Sequence, residues 1–232
     1  MGYSGGIGTS ELVDLLLSFV VLTVAFSMVS GIHGVTTIGN INFPDQNTLI
    51  VIGVGVGTGF LLHELAHKFV AQRYGYRAEY KASMFGLILT FIMAITIHIV
   101  FAAPGAVMIR KASYSTPQST YEYNENDNAY WDNLEKKIGG EDLWISLAGP
   151  MTNIILVAFF FSLLVSGVLS GIPLLIEAAS YAIYINLMLA AFNLIPIDPL
   201  DGGKIFRGNA IVWAVVAVPT IIIALGYMFG IF

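Results

Sequence analysis

The run His63-Glu64-Leu65-Ala66-His67 brings two imidazoles and a carboxylate together inside residues 45 to 74, whose first two-thirds are apolar enough to cross a bilayer. On a helix, residues four apart are separated by about 40° of rotation and one turn of rise, so both imidazoles can meet one ion. Glu64 lies about 100° round the same helix, beside that ion and outside its ligand set, where it can take a proton from a metal-activated water. The chemistry implied is hydrolysis at a zinc site. Two histidines leave a tetrahedral hydrolytic zinc one protein ligand short, with the fourth position kept for water. The chain has no cysteine, so the third ligand must be His, Asp or Glu. The apolar segments offer Glu177, Asp198 and Asp201, with His33 and His98 as outsiders.

Asp201 ends the run Asn193-Leu-Ile-Pro196-Ile-Asp198-Pro199-Leu-Asp201-Gly202-Gly203, where prolines and glycines break the end of an apolar segment. A broken helix end can turn a carboxylate back toward a neighbouring helix. An ionised carboxylate at the membrane edge is costly unless paired or metal-bound, which favours a functional role. The glycines at 53, 55, 57 and 59 match no nucleotide loop and read as close helix packing through small residues. His33 and His98 read as structural or interfacial, although a segment that dips into the membrane could carry His98 to the cleft.

These side chains must be positioned by membrane helices. The chain is 56% hydrophobic and 11% charged, with a mean hydropathy of +0.79, and soluble domains carry more than twice that share of charge. Apolar runs cover about 12 to 32, 47 to 67, 84 to 108, 144 to 170, 175 to 197 and 210 to 232. The opening MGYSGGIGTSELVD lacks a basic n-region and a cleavage pattern, so the first run is expected to remain as a helix. The net charge of -5 reflects acidic residues clustered between 122 and 142, read as a solvated loop.

The ten Lys and Arg residues fall in three groups: Lys68, Arg73, Arg77 and Lys81; Arg110, Lys111, Lys136 and Lys137; Lys204 and Arg207. A spanning helix over 84 to 108 would divide them four against six across the bilayer. A segment that enters and returns keeps them all on one face, which the positive-inside tendency makes cytoplasmic. Pro104-Gly105 supplies the break such a segment needs. A metal site joining the ends of the second and fifth helices needs the same parity. The expected fold is an all-α polytopic membrane protein with about five spanning helices plus a re-entrant segment over 84-108, the alternative being six spanning helices.

Three motifs together resemble the site-2 protease family of intramembrane zinc metalloproteases. They are the HELAH run, the Ser146-Leu-Ala-Gly149-Pro150-Met-Thr-Asn153 run, and the Asn193 to Gly203 run, whose Asn-to-Asp spacing matches the family's Asn-Leu-x-Pro-x-Pro-x-Leu-Asp-Gly element. The resemblance covers roughly residues 45 to 207. It implies one zinc ion held by His63, His67 and Asp201, Glu64 as catalytic base, and Asn153 and Asn193 near the site as donors to substrate or oxyanion. Asp198 departs from the family's usual proline and, with His98, is an accessory candidate. A single membrane-embedded protease domain over 1-232 is expected, with its core at 45-207, a polar loop at 112-140 and no PDZ domain, as in minimal archaeal and bacterial members. Its substrate would be a transmembrane protein within the lipid bilayer of the cell, cut on the cytoplasmic side in regulated intramembrane proteolysis; no nucleic-acid partner is expected. The rival readings are a catalytically silent scaffold or chaperone, which would have no use for Glu64, and a metal transporter, which would need ligands along several helices.

Overall fold

The computed structural model describes residues 6-29, 36-38, 41-98, 100, 104-110 and 125-231. Among these, five helices are long and apolar enough to cross a bilayer: Thr9–Val29, Gln46–Arg73, Gly139–Val165, Pro173–Asn193 and Ala210–Met228. The first is α1, followed by a short antiparallel hairpin of β1 (Thr36–Ile38) and β2 (Ile41–Phe43).

The second long helix has three parts. α2 (Gln46–Val56) starts at Asp45, whose carboxylate accepts from Thr48 N–H at 2.8 Å and so satisfies one of the open donors of the first turn. A π turn over Gly57–Leu61 then re-phases the helix before α3 (Leu62–Arg73), which carries the two histidines. Two of the alternating glycines face α6 (Pro173–Asn193): a methyl at Gly55 would lie 2.6 Å from Ile185 Cδ1, and one at Gly59 would lie 2.9 Å from Leu189 Cδ1. Small residues thus let α2 and α6 approach closely, and Val51, Ile52, Val56, Phe60, Ile185 and Leu189 bury their side chains along this seam with Leu22 of α1.

The apolar stretch after α3 does not cross. β3 (Arg77–Ala82) leads into α4 (Met84–Thr96), and the chain returns as β4 (Gly105–Arg110), antiparallel to β3 with Arg77 opposite Arg110 and Ala82 opposite Gly105. Ser83 N–H donates to Pro104 C=O at 2.7 Å, so the segment ends where it began. With 13 residues, α4 is about 20 Å long, against the roughly 30 Å of a hydrocarbon core. The helix expected to break at Pro104-Gly105 does give way to extended chain there, as β4; strand β3 and its pairing with β4 were not anticipated.

α1 docks on the free edge of β3. Glu11 accepts from Tyr80 N–H at 3.0 Å and Asp14 from Ala82 N–H at 3.3 Å, while Ser18 Oγ and Tyr80 OH are 2.9 Å apart. Glu11 also pairs with Lys68 of α3, both side chains being fully buried. Because Tyr80 and Ala82 direct their N–H groups to α1, the ladder bonds to β4 come from residues 77, 79 and 81. The backbone groups of Gly105, Val107 and Ile109 on β4 therefore face the other way.

α5 (Glu125–Val165) contains Pro150 and extends well before its apolar part. The polar loop expected over 112-140 is thus helical from Glu125, where Ala, Leu, Glu and Lys supply good helix formers; residues 111-124 lie outside those described. α6 ends at Asn193, a short irregular stretch leads to α7 (Asp201–Gly208), and α8 (Ala210–Met228) closes the chain, capped by Asn209. These spans run a few residues earlier than the hydropathy runs for the first, fourth and fifth apolar stretches.

Candidate metal centre

α3 offers His63 and His67 on one face, as their spacing requires, and Asp201 arrives from the first turn of α7. Their ligand atoms all lie within 4.8 Å of one another. His63 Nε2 and His67 Nε2 are 3.0 Å apart, and Asp201 Oδ2 is 3.4 Å from the first and 3.0 Å from the second. Zinc–ligand bonds of about 2.0–2.1 Å at tetrahedral angles put neighbouring ligand atoms roughly 3.3 Å apart, so these separations fit one ion.

The hydrogen bonds behind the ligands decide what faces the centre. His63 Nδ1 is 2.6 Å from Asn153 Oδ1, and His67 Nδ1 is 2.6 Å from Ile145 C=O. Both partners only accept, so both imidazoles carry a proton on Nδ1 and, when neutral, a lone pair on Nε2. The Asn153 amide is itself oriented, giving N–H bonds to Gly59 C=O at 3.0 Å and Asn186 Oδ1 at 3.2 Å. Two lone pairs and a carboxylate oxygen therefore converge. One shared proton would relieve a single pair of them; a divalent cation relieves all three.

Space for an ion is provided by Gly149, one residue before Pro150 in α5. A methyl there would overlap Nε2 of both histidines. The cradle is open because residue 149 has no side chain.

Asp201 is buried. Its second oxygen lies 3.8 Å from Lys204 Nζ. Glu64, Asn193, Lys204 and the β4 residues Gly105, Val107 and Ile109 line a cavity of about 620 Å³ that includes the centre.

The remaining expected residues lie elsewhere or differently. Asn153 is fully buried with both amide hydrogens committed, so it stands behind His63 rather than open to substrate. Asn193 lines the cavity and gives one N–H to Leu189 C=O at 3.0 Å. Asp198 is exposed and paired with Arg207 Nη2 at 2.9 Å, away from the ligand cluster. His98 lines a different, largely apolar cavity of about 880 Å³ with Phe26, Ile52 and Tyr184. Glu177 sits near the start of α6, 16 residues before Asn193, roughly 24 Å along the axis. His33 lies outside the described residues. Asn186 and Thr58 were missed by the sequence reading; a buried asparagine within an apolar helix was the available sign.

The sequence profile of peptidase family M50 matches residues 49–181 and 170–232. A Methanocaldococcus jannaschii protein named as a zinc metalloprotease is 35% identical over 220 residues, 94% of this chain and 92% of that one. A second zinc metalloprotease of the same organism is 30% identical over 63% of this chain and 30% of its own length. A Bacillus subtilis protein also named as a zinc metalloprotease is 27% identical over 64% of each chain. No solved structure gives a significant match.

Proposed function

Since this chain belongs to peptidase family M50, the site-2 protease family of zinc metalloproteases, we propose that it hydrolyses peptide bonds in or near transmembrane helices of membrane-protein substrates. The observation that carries this reading is the convergence of His63 Nε2, His67 Nε2 and Asp201 Oδ2 beside Glu64 in an open cavity at the end of a membrane helix. We assign the three as ligands of one zinc ion. Zinc, when bound there, would lower the pKa of a coordinated water to about 7 and polarise the scissile carbonyl.

The protein's own groups do the rest. Glu64 takes the proton of the attacking water and returns it to the amine of the departing half. Asn193, on the cavity wall, offers an N–H toward the oxygen of the scissile carbonyl. Helical substrate amides are shielded by their own hydrogen bonds, so the cleaved stretch must be extended. The backbone groups of Gly105, Val107 and Ile109 point away from β3, and all three residues line the cavity. An unwound stretch of substrate can pair along that edge, which holds its carbonyls in a fixed register.

Lys68, Arg73, Arg77, Lys81, Arg110, Lys204 and Arg207 all belong to the elements at the metal-centre end, so we place that end at the cytoplasmic face. Cleavage there would release the cytoplasmic part of a substrate, the outcome expected of regulated intramembrane proteolysis. The test is Glu64→Gln in detergent with a transmembrane substrate. Zinc content should match wild type while cleavage is abolished; turnover retained in that variant would refute the assignment of Glu64.

A further inference from the structure

Behind the metal centre runs a series of side-chain hydrogen bonds whose direction is imposed from its far end. Thr58 Oγ1 donates to Val54 C=O at 2.8 Å, which leaves that oxygen as an acceptor for Asn186 Nδ2 at 3.3 Å. Asn186 gives its other amide hydrogen to Ala182 C=O at 2.8 Å. Its Oδ1 therefore faces Asn153 Nδ2, and Asn153, bonded also to Gly59 C=O, turns its own Oδ1 to His63 Nδ1.

Every donor in this relay ends on an oxygen that does not donate back. Turning the Asn186 amide over would set its carbonyl against that of Ala182. Turning Asn153 would set its carbonyl against that of Gly59. Both asparagines are 0% exposed, so bulk water does not relieve either mismatch, and a buried polar group facing its own kind is costly. The π turn contributes as well: a methyl on Gly59 would press on Leu189 and lie 3.5 Å from Asn186 Nδ2, so the absence of a side chain there lets α6 bring Asn186 into line.

We propose that Asn186, outside both the ligand group and the cavity lining, is a positioning residue for the metal centre. It locks the Asn153 amide, which keeps the proton of His63 on Nδ1 and its lone pair on Nε2, facing His67 and Asp201. The proposal rests on the zinc reading above and extends it from the ligands to a residue on a different helix. Partners that orient metal-bound histidines typically set 10- to 100-fold in metal affinity, and Asn186 acts one bond further out, at the lower end of that range.

The experiment uses the full chain in detergent, with Asn186→Leu, Asn186→Ala and, as a buried neighbour outside the relay, Ile185→Val. Zinc affinity is read by competition with a chromophoric chelator. The tautomer of His63 is read in metal-free protein from ¹⁵N-histidine NMR, with His63→Gln identifying its resonances. Both Asn186 variants should lose about tenfold in zinc affinity and show mixed His63 tautomers, whereas Ile185→Val should keep wild-type affinity and the single Nδ1-protonated form. Wild-type affinity with a single Nδ1-protonated His63 in a folded Asn186 variant would overturn the proposal. Should Asn186→Leu not fold, Asn186→Ala decides. A wild-type chain that binds no zinc would defeat the metal reading instead, and the tautomer measurement would still decide the relay.

Discussion

With the Nδ1 protons of His63 and His67 pinned to Asn153 and Ile145, their Nε2 lone pairs face each other and Asp201. That arrangement is repulsive until a cation occupies it, which makes the vicinity of Gly149 sensitive to very small changes. Gly149→Ala should eliminate zinc binding and activity while leaving the helices intact, because the added methyl occupies the place of the Nε2 atoms; stoichiometric zinc in that variant would show that the cradle is not where the ion sits. At this scale much was legible in advance. The HELAH spacing dictates a shared helix face, and Asp201 stands out as a carboxylate at a broken helix end. The role of Asn153 was not legible, because whether an amide meets substrate or a ligand's far nitrogen depends on where Gly59 and Asn186 lie in three dimensions. Asp198 stood equally close in sequence, yet it forms an exposed pair with Arg207.

The elements that position these residues are themselves held by polar contacts. α1 is tied to β3 and α3 through Glu11, which accepts from Tyr80 N–H and pairs with Lys68, the residue after His67. Removing one member of a buried ion pair leaves the other charge uncompensated, at about 3–5 kcal/mol. Glu11→Ala should therefore lower thermal stability sharply, and the double variant Glu11→Met with Lys68→Met should recover most of the loss, as read by melting in detergent. Equal destabilisation in the two would mean that the backbone bond to Tyr80 matters more than the charge. The re-entrant path of 84-108 was legible from the placement of basic residues and from Pro104-Gly105. Strand β3 and its pairing with β4 were not, since six residues each with mixed polarity carry little periodic pattern and are held by one another and by α1. The start of α5 at Glu125 was also obscured, because a polar helix extending beyond the membrane has the composition of a loop.

Taken whole, this is an integral membrane zinc metalloprotease whose proposed metal centre needs helices α3, α5 and α7 to meet at one end, which only an excursion that returns on itself allows. The absence of cysteine permits a direct check with single cysteines. Arg77→Cys and Arg110→Cys, neighbours across the β3–β4 pair, should react with an impermeant thiol reagent from the same side as Arg207→Cys, and Ser170→Cys from the other. Labelling of positions 77 and 110 from opposite sides would mean that the stretch between them crosses the membrane. Among the described residues a single His/Asp cluster is found, an arrangement suited to chemistry at one depth. The most direct test of the central claim is zinc content by elemental analysis of purified wild type beside Asp201→Ala. About one zinc per chain, as a mononuclear site requires, is predicted for wild type, with most of it lost in the variant; zinc unchanged by Asp201→Ala would contradict the three-ligand centre.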